Sequence, residues 1–184
     1  MFLYASQPKN RITLKCFATI ILFLSVSFSC KKKREQEFDA NGLPKATQIG
    51  AMIFACKING ENWISKKSPN SIKAVVADSE LSINGINDSA SGLIYEDLTL
   101  IISGPSVSTT HKLDLDHTYA RLTSYRDCFN TSTRFGMAKS NKGEVVFTKI
   151  NKSSRIISGT FWCDIPTDKC GVIKITEGRF DIFY

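Results

Sequence analysis

Two histidines and two aspartates fall within seven residues, His111-Lys112-Leu113-Asp114-Leu115-Asp116-His117, and imidazole with carboxylate is a metal-binding donor set. Extended geometry works against that use. In a strand, His111, Leu113, Leu115 and His117 share one face while Asp114 and Asp116 point the other way. The imidazoles would then stand about 20 Å apart, at roughly 3.3 Å per residue, and only a tight turn would gather them. No metal site is expected. Gly171 and Glu177 have the spacing of EF-hand positions six and twelve, but the first ligand position falls on Pro166, whose side chain cannot coordinate.

The chain contains no GxSxG elbow, HExxH motif or glycine-rich phosphate loop. With two histidines a Ser-His-Asp triad has few ways to assemble, which leaves carboxylate pairs as the main source of acid–base chemistry. No cofactor is expected. Tyr119, Arg121 and Tyr125 fall on one face of a candidate strand, with Arg126 adjacent. Aromatic residues with arginine are typical of binding surfaces, so these four are the ligand-face candidates. A cross-strand pair on a half-exposed sheet is the simpler account of the same pattern.

Cys30 closes an apolar run, Cys16 to Phe28, that follows Lys9, Arg11 and Lys15. A basic segment, an apolar stretch of roughly 7–15 residues and a small residue before the cut describe a secretory signal. Thirteen residues are too short to span a hydrocarbon core, which takes about 20 as a helix. Leu24-Ser25-Val26-Ser27-Phe28-Ser29-Cys30 resembles a lipobox. That resemblance implies cleavage after residue 29, diacylglycerol on the Cys30 sulfur and acylation of the new amino terminus. Several acyl chains, at about 0.8 kcal/mol per buried CH₂, anchor stably where one is marginal.

Lys31-Lys32-Lys33-Arg34 follows directly, and each charge would add about 1 kcal/mol against anionic lipid. These four and the three in the signal account for the formal charge of +7. All 17 acidic residues lie beyond position 34, against 17 basic ones there. The body is neutral, so nucleic acid is not an expected partner. Glu35 to Ala46 carries charge, Asn-Gly and Pro without periodicity and reads as a linker. The expected organisation is a signal peptide over 1–29, a lipidated Cys and tether over 30–46, and one domain over 47–184.

From Ile49 onward the chain is short β-favouring runs between turn residues. Ile53 to Ile58 meets Asn59-Gly60, suited to a type I′ hairpin turn, which pairs Ile58 with Glu61 and sets Cys56 opposite Trp63. Ile72–Ala77, Leu81–Ile86 and Leu93–Ser103 are the next candidate strands, the last stopped by Gly104-Pro105. His111–Asp116, Tyr119–Arg126 and Phe135–Lys139 are weaker. Glu144–Ile150, Arg155–Cys163, Gly171–Thr176 and Arg179–Tyr184 read as an antiparallel meander. No segment beyond residue 30 sustains a 3.6-residue apolar period. The expected fold is all-β, a single antiparallel sandwich or barrel-like domain of seven to ten strands with little helix.

Once Cys16 leaves with the signal and Cys30 is lipidated, four cysteines remain in an oxidising compartment, with three possible pairings. Cys163 and Cys170 flank a turn and could meet across a hairpin mouth, which would leave Cys56 with Cys128. The absence of CxxC argues against thioredoxin-type redox and ribbon-type zinc sites.

Three stretches carry a family resemblance: Val146 to Ile150, Ile157-Ser158-Gly159-Thr160-Phe161, and Ile173 to Ile182 with its Ile175-Thr176-Glu177-Gly178-Arg179-Phe180-Asp181-Ile182 core. With the Ile58-Asn59-Gly60-Glu61-Asn62-Trp63 hairpin they resemble small uncharacterised lipoproteins of Bacteroidota. The resemblance implies no catalytic residue. Surface-exported lipoproteins of that group often carry acidic residues after the lipidated Cys; the basic cluster here departs from that and favours the periplasmic face of the outer membrane. Asp88-Ser89-Ala90 resembles the group's short O-glycosylation acceptor motif. The expected function is a non-enzymatic, membrane-anchored binding or structural β-domain, partnered by an envelope protein or small ligand. The alternatives are a lipocalin-like carrier and a carboxylate-dependent envelope enzyme acting on glycan.

Overall fold

The Asn59-Gly60 pair sets the first register of the fold. In a computed structural model of the chain both residues adopt left-handed backbone conformations (φ 51° and 87°), as a type I′ turn requires. The turn joins β1 (Ile53–Ile58) to β2 (Glu61–Ile64), with Ile58 paired to Glu61 and Cys56 to Trp63 as the sequence predicts. The structure describes residues 36–66, 68, 70–88, 95–114, 117–125, 128–129 and 137–184. The signal segment, Cys30, Lys31 to Arg34, Asp116, Arg126 and the Ser89-Ala90 part of the acceptor motif lie outside them.

Nine further strands follow: β3 (Ile72–Ala77), β4 (Glu80–Asp88), β5 (Tyr95–Ser103), β6 (Thr110–Lys112), β7 (Tyr119–Thr123), β8 (Met137–Lys139), β9 (Lys142–Asn151), β10 (Ile156–Thr167) and β11 (Gly171–Phe183). They form two antiparallel sheets, ordered β2-β1-β11-β10-β9-β6 and β3-β4-β5-β7-β8, packed face to face as a sandwich. Among the described residues there is no helix and no closed barrel. Eleven strands exceed the expected seven to ten; the three-residue β6 and β8 fall in the weaker candidate segments and close one edge of each sheet. The expected break between Gly171–Thr176 and Arg179–Tyr184 is instead a bulge inside one strand, with Glu177 at φ 52°.

Alternation places one set of side chains from each strand between the sheets. Phe54, Phe147, Phe161 and Phe180 of the larger sheet meet Leu81, Ile83, Leu98, Leu100 and Leu122 of the smaller. On β10 and β11 each large ring lies over a glycine of the neighbouring strand, Phe180 against Gly159 and Phe161 against Gly178. A Cβ at Gly178 would lie 2.7 Å from the Phe161 ring and 2.5 Å from its carbonyl oxygen, so nothing larger fits without a shift. Trp63 spans the layers, its indole N–H donating to the buried Glu96 carboxylate at 2.8 Å.

The segment from Gln36 to Ala46, expected to be a linker, belongs to the compact unit Gln36–Tyr184. Phe38 bridges Pro44 across a tight turn, Leu43 is fully buried, and Asp39 pairs with Arg179 of β11 at 2.6 Å. Its polar residues bond to the sheet, and that is why it lacks an apolar period. We call residues 36–52 the strap.

The strap is held at Asp181, which faces away from the core yet is only 1 % exposed. Its carboxylate accepts from the backbone N–H groups of Ile49, Gly50 and Ala51 at 2.9–3.0 Å, and from the hydroxyls of Thr47 and Ser158. Burial pushes the Asp181 carboxyl up, but these donors outweigh it and hold it below the usual carboxylate range. A carboxylate depressed in the folded state stabilises the fold above its unfolded pKa and loses that contribution as pH falls through its folded value. Asp181→Ala leaves three backbone N–H groups unmatched, that of Gly50 buried, and is expected to cost about 3–5 kcal/mol in denaturant unfolding. Relative to Asp181→Asn, the wild-type advantage should hold down to about pH 4 and narrow below it.

Candidate functional site

The cysteines resolve into one crosslink and two thiols. Cys128 bonds to Cys170, with Cα atoms 5.0 Å apart, while Cys56 and Cys163 are free and buried. This corrects the expected pairs, Cys163 with Cys170 and Cys56 with Cys128. The mouth of the β10–β11 hairpin is Thr167 opposite Gly171, and Cys163 lies four residues down the strand, opposite Ile175. That offset is about 13 Å at 3.3 Å per residue, beyond the roughly 7 Å a disulfide spans. Alternation also turns Cys163 inward, whereas Cys170 sits at the exposed turn. The crosslink instead joins that turn to the chain after β7, where Lys169 N–H also donates to the Cys128 carbonyl at 3.2 Å.

Burial pushes both free thiols up, so neither presents a thiolate at neutral pH. Of the four cysteines beyond Cys30, none should react with iodoacetamide in the native state, two after unfolding without reductant, and four after reduction. Intact-mass spectrometry counts them. Removing the crosslink with Cys128→Ser and Cys170→Ser should cost about 4 kcal/mol in the chain-entropy model.

In the histidine–aspartate segment, Asp114 N–H donates to the Thr118 carbonyl at 2.9 Å. His111 packs its ring edge-on to Phe147 and accepts from the Ser106 N–H, Leu113 is buried, and His117 is exposed. No group of three metal-ligating side chains occurs among the described residues.

The ligand-face candidates separate. Tyr119 and Arg121 lie on the outer face of the smaller sheet, and the Lys139 ammonium of the adjacent β8 sits 4.1 Å from the Tyr119 ring centre. That is a cross-strand cation–π contact, the simpler of the two accounts. Strand β7 ends at Thr123, and Ser124 takes a left-handed conformation (φ 55°), so alternation fails beyond it. Tyr125 consequently lies in the core at 4 % exposure, away from the Tyr119 face.

One end of the sandwich is open. A cleft of about 700 Å³ lies between the β3–β4 turn, the end of β5 at Gly104-Pro105 and the β9–β10 turn. Its apolar lining is Val76, Leu81, Ile150, Ile157 and Tyr184, of which Leu81 and Ile157 are core side chains at 1 % exposure. Lys152 and Arg155 stand on the β9–β10 turn, and Asp78 and Ser79 on the β3–β4 turn line the same cleft. Both cations are exposed, and neither is held in an ion pair among the described residues. The volume lies within the roughly 300–1,000 Å³ of small-molecule sites. None of these residues is among the sequence-derived candidates. The one local signal is Val75-Val76, two consecutive valines on edge strand β3 that are both more than half exposed.

The fold and the cleft together define an antiparallel β-sandwich with one open, largely apolar end. Comparison with protein-family models, with curated proteins and with solved structures finds no match.

Proposed function

We propose that this chain is a lipid-anchored envelope lipoprotein whose sandwich is a non-catalytic binding domain. The end cleft would hold a small molecule with an apolar body and an anionic group. The observation that carries this reading is the cleft itself, an apolar cavity reaching core residues Leu81 and Ile157, with Lys152 and Arg155 at its rim. Apolar surface takes the body of the ligand, and two cations at the mouth orient its anionic end. A lipocalin-like carrier would enclose its ligand inside a closed barrel; among the described residues the sheets form no closed barrel, and their facing side chains make one core cluster.

The anchor rests on Cys30 and the apolar run before it, and the outer-membrane, periplasm-facing placement rests on the basic cluster Lys31 to Arg34. In a Bacteroidota host, Cys30→Ser should abolish labelling by a radiolabelled fatty acid and release the protein from the membrane fraction. Retention and labelling of that variant would refute the anchor.

Binding is testable with dansyl-undecanoic acid, whose emission rises on entering an apolar site. Saturable enhancement is expected, and Lys152→Glu with Arg155→Glu should weaken it about tenfold, equal to about 1.4 kcal/mol. The probe's methyl ester should bind wild type and the charge-reversed variant alike. An acid that binds both proteins equally would refute the role of the rim cations.

A further inference from the structure

The outer face of the larger sheet carries a second concavity, of about 390 Å³, across β9, β10 and β11. Glu144, Thr160, Trp162, Glu177 and Arg179 line it, with Ala46 of the strap as one wall. Alternation explains the tryptophan: Phe161 and Cys163 point into the core, so Trp162 between them points out. It remains only partly covered.

Glutamates stand on both sides of that indole. Glu144 of β9 is its register partner, and the Trp162 N–H donates to Glu144 Oε2 at 3.4 Å. On β11 the pairing steps from Gly178 opposite Phe161 to Ile175 opposite Cys163, so Thr176 and Glu177 both oppose Trp162. This two-against-one bulge re-aims the Glu177 side chain toward the groove. Glu177 sits at φ 52°, where glycine is at ease and a glutamate is strained. Strain retained next to a concave site is a pointer to function. The residue is kept there by Lys57 at 2.7 Å, Asn41 at 3.0 Å and Arg179 at 3.8 Å. The Lys57 ammonium holds the Glu177 carboxylate below its usual range, so it stays an acceptor rather than a proton donor.

The lining therefore combines a flat aromatic face, two carboxylate acceptors, a hydroxyl and a guanidinium on one shallow groove. A pyranose has matching chemistry: an apolar C–H face for the indole, and a rim of hydroxyl donors for carboxylates. An anionic sugar would meet Glu144 and Glu177 with like charge, because the Arg179 guanidinium is already paired with Asp39 and Glu177; the Lys142 ammonium stands 5.8 Å from the Trp162 ring centre. We propose that this groove binds a neutral saccharide, one ring stacked on Trp162 with its hydroxyls bonded to Glu144 and Glu177. The site is separate from the end cleft and stands or falls independently of it.

Saturation-transfer NMR on the full chain in a zwitterionic detergent tests this with cellotriose, maltotriose and tri-N-acetylchitotriose at millimolar concentration. The first two represent glucan sources and the third the amino-sugar chemistry of cell-wall glycan. Transfer is expected to at least one of them, strongest to the C–H protons of a single ring, and weaker to trigalacturonic acid. Trp162→Ala should abolish it. Glu144→Ala, a substitution on a half-buried side chain outside the core, should weaken it about tenfold with unchanged thermal unfolding. No transfer from any neutral trisaccharide, equal transfer from the acidic one, or transfer undiminished in the folded Glu144→Ala and Trp162→Ala variants would each overturn the proposal.

Discussion

The Asp181 carboxylate is the point on which the layers of this domain converge. It lies on the side of β11 that faces away from the core, where a sandwich ordinarily meets water. Five donors enclose it: three consecutive backbone N–H groups of the strap and the hydroxyls of Thr47 and Ser158. Such a group costs much free energy if left unmatched and contributes only when every partner is in place. The strap must therefore lie across the sheet, bringing Asp39 to Arg179 and Asn41 to Glu177. The β11 bulge, the wall formed by Ala46 and the Trp162 groove are arranged around that crossing.

Beneath this polar clamp the two sheets are set by size complementarity. Phe161 over Gly178 and Phe180 over Gly159 let two adjacent strands carry large rings without forcing them apart. Phe54 then reaches Gly85 on the opposing sheet, where a Cβ would stand 2.4 Å from its ring. Interiors packed at crystal-like density leave little room for ligand, so accessible volume arises where packing stops. Among the described residues such volume occurs at the end bounded by the β3–β4 and β9–β10 turns and in the shallow groove outside β9–β11.

Much of the strand plan was legible because alternation and turn chemistry are local. Asn59-Gly60 and the pairing of Cys56 with Trp63 follow from one dipeptide. The meander from Glu144 onward is visible for the same reason, although the residues around Glu177 looked like a break between strands when they form a bulge. Three features were not legible. The strap looks like a tether because its interactions are polar and distant, such as Asp39 with Arg179, and leave no periodic trace. The crosslink of Cys128 to Cys170 joins segments 42 residues apart, and nothing near either cysteine marks its partner. Counting in twos puts Tyr125 with Tyr119, and that rule ends where Ser124 turns left-handed.

The candidate sites divide in the same way. From the sequence alone come the all-β class, the neutral body with its charge confined to the first 34 residues, and the even number of cysteines beyond Cys30. These depend on composition and on neighbours within a few positions. Which thiols meet, which aromatic residues are buried and where a ligand would find space are decided only when β3, β9 and β11 come together from distant parts of the chain. Lys152 and Asp78 reach one cleft, and Glu144 and Glu177 one groove, through sheet register and layer packing. Those are cooperative properties of the whole sandwich, and no local window of the chain contains them.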